Sequence, residues 1–202
     1  MTMVTQHEST RVRRQQIISA ARSLIVKYGS EHVTVRRMAN EIGVSEGAIY
    51  RHFKSKRDIL SFLVDDIEGT LLGDIGKNAT GKVGSLESLE KILISHISSI
   101  EQKKGVSFQV IAEIVSLGDK KLNKKIYSVI NKYILRIKEI LARGITEGII
   151  QPELDLDAAS TMFFNMIQGL VDIWALSQYS FKLRDRYKPL WDFYLRSIVK
   201  QG

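Results

Sequence analysis

The chain of 202 residues contains no cysteine. Disulfides and thiolate metal sites are therefore excluded, and an intracellular, cytoplasmic protein is the easier reading. Proline is nearly absent, with only Pro152 and Pro189. No stretch reaches the ~18 apolar residues of a membrane span, and the N-terminus lacks the apolar run of a signal peptide, so no membrane partner is expected. Histidine is sparse. His7, His32, His52 and His96 stand far apart, and none has helical metal-ligand spacing to a carboxylate. The glycines at 73–84 lack the Lys-Ser/Thr order of a phosphate loop. No nucleophile can be paired with a base. The expectations are no metal, no cofactor, no catalytic residues and no enzyme.

What is present is helical periodicity. Apolar residues make up 44% of the chain, enough for a core, and they recur at steps of three and four with few breakers between them. An all-α protein of about nine helices follows. Charge is distributed unevenly. Residues 1–57 hold eleven Lys and Arg against four acids, a balance of +7, while the other 145 residues hold nineteen against eighteen, or +1. A basic module on a nearly neutral body points to a polyanion partner for the module.

The most informative stretch is 34–57. Thr34 is a good N-cap for a short helix whose buried face is Val35, Met38, Ala39 and Ile42. Gly43 can take positive φ and end it. Ser45 caps a second helix through Ala48, Ile49 and Phe53, expected to reach residue 53. Two helices joined so tightly cross steeply, as in a helix-turn-helix. The second shows Glu46, Gly47, Ala48, Tyr50, Arg51 and His52 outward, a small and polar surface suited to a major groove. A first helix from Thr10 to Tyr28 completes the small core. Residues 1–9 read as a mobile arm, with Arg11, Arg13 and Arg14 able to reach DNA or to remain a solvated basic tail. Ser55-Lys56-Arg57-Asp58 has the capping-box pattern and starts a helix of Ile59, Leu60, Leu63, Val64, Ile67 and Leu71. Lys56 in its first turn would meet a phosphate together with the helix end.

Residues 10–65 resemble the DNA-binding domain of the TetR family of one-component repressors. The resembling run is Thr34-Val35, Met38-Ala39, Ile42 to Ser45, and Gly47 through Leu60, with Tyr50 to Lys56 its most specific part. The resemblance implies a homodimer on a palindromic double-stranded DNA operator. Domain 1–54 would hold the helix-turn-helix, and 55–202 would bind an effector and dimerise. It also implies roles at matching positions. Thr34, Tyr50, His52 and Lys56 would hold phosphates. Arg36 and the start of the reading helix (Ser45, Glu46, Gly47, Ala48, with Arg51 beyond) would face base edges. Arg37 and Arg57 read as solvated or ion-paired.

For the body, residues 73–85 hold four glycines and read as a loop. Helices are expected at 86–103, 106–117, 120–147, 158–176 and 188–199, the last with Pro189 in its first turn. A TetR-like body implies a cavity lined from 86–117 and 158–178. Its candidate ligand-binding residues are His96, Phe108, Ile111, Met162, Phe163, Met166 and Trp174, with Asn165 and Gln168 as further polar anchors. The stretch 158–176 is apolar on nearly all sides, so a second subunit is expected on one of them. Phe164, Ile167, Val171, Trp191, Tyr194, Leu195 and Ile198 are the candidate dimer residues of a four-helix bundle. The effector is expected to be small and largely hydrophobic. A fatty acyl compound fits the layout of the body. A multidrug-sensing regulator of an efflux gene and a ligand-independent DNA-binding protein are the alternatives.

Overall fold

The helix ends are set where short polar side chains meet the first free backbone N–H groups. Asp119 accepts from the N–H groups of Lys121 and Leu122, both at 3.0 Å, and Asp155 accepts from those of Asp157 and Ala158, also at 3.0 Å. In this computed structural model, residues 10–29, 32–79 and 83–200 are described. Among them the order is α1 (Thr10–Tyr28), α2 (Val35–Ile42), α3 (Glu46–Tyr50), α4 (Lys56–Asn78), α5 (Ser85–Gln102), α6 (Val106–Leu117), α7 (Lys120–Thr146), α8 (Leu156–Leu176) and α9 (Leu183–Ile198). No strand is formed among the described residues; Ile150 and Val199 make an isolated antiparallel bridge. None of the described helices is long and apolar enough to cross a membrane. The expected arm at 1–9 lies outside the described residues.

Helices α1 to α3 close on a core of Ile17, Ile18, Ala21, Leu24, Ile25, Met38, Ala39, Ile49 and Phe53, all buried. Each large side chain removed from water there contributes roughly 1.5–3 kcal/mol before entropy is counted. Helix α4 packs on α1 at one end and on α5, α6 and α7 beyond it. Helix α7 is the pillar of the body and packs on α4, α5, α6 and α8, with Tyr133, Ile137 and Leu141 fully buried. Gly144 near its end is demanded by packing. A Cβ there would lie 2.5 Å from Ile150 Cδ1, 2.8 Å from its Cγ1 and 3.2 Å from Ser85 Cβ.

Three expectations about element bounds are corrected. The loop expected from residue 73 is helix as far as Asn78, so Gly73 and Gly76 sit inside α4. Interior glycine costs up to ~1 kcal/mol each, and burial of Leu71 and Ile75 on the same helix offsets it. Within the expected loop, residues 80–82 are not described. The reading helix stops at Tyr50 instead of 53, after which Arg51 and His52 turn so that Phe53 can reach the core. The last helix starts at Leu183, leaving Pro189 in its interior and exposed. The added turn is held from outside the helix. The Glu101 carboxylate on α5 accepts from the N–H groups of Leu183 (2.6 Å) and Arg184 (3.4 Å), and Leu183 is fully buried.

Candidate nucleic-acid interface and body cavity

The turn between α2 and α3 is built as its residue types dictate. Thr34 Oγ1 accepts from Arg37 N at 3.2 Å, and Ser45 Oγ accepts from Ala48 N at 3.2 Å. Gly43 sits at φ 67, ψ 39, and the N–H of Val44 reaches Ala39 O at 2.9 Å. With Met38, Ala39 and Ile49 pulled inward, Thr34, Arg36, Ser45, Glu46, Gly47, Tyr50 and Arg51 are exposed together, with Ala48 and His52 half-buried beside them. Arg37 lies over the Tyr28 ring, 5.5 Å from its centroid, and Arg14 lies over Phe53 at 5.7 Å. His52 is held below the usual histidine pKa, first by burial and then by Arg14, Arg13 and Arg51.

The start of α4 is tied to the body by charge. Lys56 Nζ lies 2.7 Å from Glu113 Oε1 on α6, and Arg57 Nη2 lies 2.6 Å from Asp119 Oδ2 in the α6–α7 turn. Asp119 is the N-cap of α7 as well, and its carboxyl is held below its ordinary pKa by the Leu122 N–H first and by Arg57 among the further causes. Ser55 caps α4 through the N–H of Asp58 at 3.3 Å. The Asp58 carboxylate reaches back to the N–H of Lys54, at 2.8 Å, so this variant of the capping box closes one residue before the cap.

Between α4, α5, α6 and α8 lies a cavity of about 50 Å³. Leu63, Ile67, Ile100, Val106, Phe108, Val110, Ile111, Ile130, Phe164, Ile167 and Val171 make most of its wall. One end is polar. Arg22 from α1 pairs with Asp66 at 2.5 Å, and Lys103 lies 3.8 Å from the same carboxylate while donating to Thr70 Oγ1 at 2.6 Å. Two cations share one acid there. Asp66, Thr70, Ser99 and Lys103 also line an adjoining open groove of about 550 Å³, floored by Gly69 and Gly73. Deeper in the wall, His96 Nδ1 lies 3.2 Å from the hydroxyl of Tyr133. Burial drives the His96 pKa down to about 4 against the opposing pull of Asp74. No group of three His, Asp or Glu able to hold a metal ion occurs among the described residues.

Residues 17–61 match the profile of bacterial regulatory proteins of the tetR family, and residues 65–197 match the C-terminal region of YsiA-like proteins. The chain belongs to the tetR family. It is a DNA-binding transcriptional regulator. The fatty acid metabolism regulator protein of Bacillus subtilis is 28% identical over 173 residues, which is 86% of this chain and 89% of that one. Two solved structures are similar throughout. The fatty acid degradation regulator FadR of Bacillus halodurans has a TM-score of 0.79 at 26% identity, covering 91% of this chain and 94% of that one. FadR of Bacillus subtilis in complex with stearoyl-CoA has a TM-score of 0.74 at 27% identity, covering 90% and 95%.

Within this tetR-family body the structure redistributes the expected site residues. Of the seven expected ligand residues, His96, Phe108 and Ile111 line the cavity. Met162 is instead 56% exposed on the outer side of α8, and Phe163 is buried edge-on against Trp191 and Tyr194. Met166 packs against the core outside the cavity, as does Trp174, whose indole N–H is spent on Phe181 O at 2.7 Å. Asn165 is exposed, while Gln168 is at the cavity. The expected dimer residues face inward. Phe164, Ile167 and Val171 line the cavity, Trp191, Tyr194 and Ile198 are buried within the chain, and Leu195 packs on the core. The apolar side chains that α8 and α9 leave exposed are Met162, Ile173, Leu176, Leu190 and Phe193. Sequence reasoning missed the α1 and α4 contribution to the cavity, Arg22, Leu63, Asp66, Ile67 and Thr70, because only folding brings α1 against α4 and α6.

Proposed function

We propose that the protein is a homodimeric repressor that leaves a palindromic operator when an amphiphile with a long apolar tail and an anionic end, such as a fatty acyl thioester, enters the body. The observation that carries this reading is the cavity itself: an apolar slot with Arg22 and Lys103 at one end, adjoining a larger open groove. The apolar wall suits a tail, and Arg22 and Lys103, which share Asp66 at one end, suit an anionic head. The likeness to a FadR solved with stearoyl-CoA supports the same chemistry.

A ligand-sized pocket is roughly 300–1,000 Å³, and this cavity is about 50 Å³. A tail therefore enters only by moving the walls. Helix α6 is the wall that matters. Its Phe108 and Ile111 face the cavity, and its Glu113 holds Lys56 at the start of α4. Movement of α6 changes the hold of Glu113 on Lys56, and Arg57–Asp119 passes the movement to the helix on which the reading module is mounted. The two modules of a dimer hold half-sites at a set spacing, so a change in their separation lowers operator affinity. The ligand acts to the degree that it prefers the widened state. Dimerisation is supported by the outer stripe of α8, where Met162, Gly169, Ile173 and Leu176 follow one another at steps of seven, four and three, with Leu190 and Phe193 of α9 beside them. Contiguous exposed apolar surface of this kind marks an interaction site.

The test is fluorescence anisotropy on an operator selected from random DNA, with release measured for lauroyl- to stearoyl-CoA, for hydrophobic cations and for dyes. Acyl thioesters should release it at micromolar levels. Release by cations and dyes alone would establish the multidrug-sensing alternative, and no release by any of them a ligand-independent binder.

A further inference from the structure

We infer that His96 is a specificity-determining residue of the effector cavity, a neutral imidazole locked with its proton on Nε2 so that it donates a hydrogen bond to a carbonyl-type acceptor of the effector. The inference rests on the effector reading above and deepens it by naming the polar group that the apolar slot selects.

The lock is the Tyr133–His96 pair. Tyr133 on α7 is fully buried, and its hydroxyl lies 3.2 Å from Nδ1 of His96. The rings meet edge to face, with centroids 5.4 Å apart, and the far side of the Tyr133 ring is packed against Phe164 at 5.8 Å. A phenol buried in this way keeps its proton and is a donor. If Nδ1 carried the imidazole proton, the Tyr133 proton would be left without an acceptor. Donation from Tyr133 to Nδ1 satisfies both atoms and places the imidazole proton on Nε2. Burial keeps the ring neutral, so the donor persists across physiological pH.

His96 is part of the cavity wall, together with Ile67, Ile100, Val110 and Ile111. The neighbouring polar groups are already engaged. Ser99 donates to Asp74 at 3.1 Å, Lys103 to Thr70 at 2.6 Å, and the Gln168 amide nitrogen to Asp172 at 2.9 Å. A buried donor with a fixed direction in such a wall discriminates by leaving itself unpaired when the wrong ligand enters. An alkyl chain alone gives it nothing, whereas a thioester carbonyl does.

The experiment compares lauroyl-CoA with S-dodecyl-CoA, a thioether that has a methylene in place of the carbonyl, by titration calorimetry on the full-length protein. The wild type should prefer the thioester by roughly 10- to 100-fold, the range expected for one buried hydrogen bond. His96→Phe should bind both ligands alike, and His96→Gln, which keeps a neutral N–H donor, should restore part of the preference. Tyr133→Phe keeps the packing and releases the tautomer, so its preference should fall between the two. An undiminished preference in His96→Phe would overturn the proposal. The tautomer is read separately by two-bond proton–nitrogen correlation on protein labelled at histidine. A proton on Nδ1 of His96 overturns the proposal whatever the ligands do. A proton on Nε2 with neither ligand binding refutes the acyl reading alone and leaves the oriented donor established.

Discussion

Replacing Glu113 by Gln should strengthen operator binding. Glu113 and a DNA phosphate compete for one ammonium group. Lys56 stands where a phosphate contact is expected, yet its Nζ is 2.7 Å from Glu113 Oε1, with side-chain exposures of 32% and 12%. At that separation two unit charges interact by about 6 kcal/mol gross in an effective dielectric of ~20. Most of this is cancelled by the desolvation of Glu113, and net values for such partly exposed pairs fall between the ~0–1 kcal/mol of surface pairs and the ~3–5 kcal/mol cost of breaking a buried one. A net 1–1.4 kcal/mol must then be surrendered when Lys56 turns to DNA, which corresponds to roughly 5- to 10-fold in Kd. Glu113→Gln keeps the shape and removes the charge, so the variant should bind the operator about 5- to 10-fold more tightly and resist release by effector. Lys56→Ala should weaken binding to every sequence and lower the slope of log K against log salt by about one. The two changes together should show the coupling of a double-mutant cycle, since each removes one partner of the same contact. Anisotropy titrations at several salt concentrations measure all of this. If Glu113→Gln weakened binding while Lys56→Ala left the salt slope unchanged, Lys56 would be a strut between module and body, and the competition argument would be refuted.

Three further outcomes follow from the same geometry. His96 binds its proton with a pKa of about 4 in the folded chain against an ordinary 6.5. The unfolded chain therefore binds more protons between those values, and the stability His96 contributes is fully present above pH 6.5 and lost as pH falls through 4. On the order of 3 kcal/mol is at stake. Urea unfolding at pH 7 and pH 4.5 should show a smaller acid loss in His96→Phe than in wild type, and equal losses would contradict the burial argument. Gly144→Ala should destabilise by roughly 1–3 kcal/mol, because the new Cβ overlaps Ile150 and crowds Ser85; an unchanged melting temperature would mean that Ile150 moves aside freely. Ile173→Asp, at a side chain 60% exposed in the single chain, should leave folding intact and yield monomers by sedimentation at micromolar concentration. A dimer that survived it would place the interface elsewhere.

The local chemistry of residues 34–57 determined the helix-turn-helix by itself. Thr34, Gly43, Ser45 and Ser55 act through bonds to neighbours within a few residues, and those bonds form as their types and spacing require. The charge asymmetry is likewise a property of composition. Tertiary structure decided what local pattern leaves open. Residues 158–176 are apolar on both sides, so their periodicity cannot say which side turns inward. Packing against α7 and α9 turned Phe164, Ile167 and Val171 to the cavity and left Met162 and Ile173 outside. Glycines 73 and 76 read as a loop because propensity counts their cost, whereas burial of Leu71 and Ile75 on the same helix outweighs it. The first turn of α9 depends on a carboxylate from Glu101, eighty-two residues away from Leu183. The cavity is assembled from six helices, α1, α4, α5, α6, α7 and α8. Which side chains share its wall is a fact about the distances between helices, and no spacing along the chain encodes it. What the protein grips was legible in one stretch of sequence, whereas Arg22, His96 and Lys103 are brought to one cavity only by the fold.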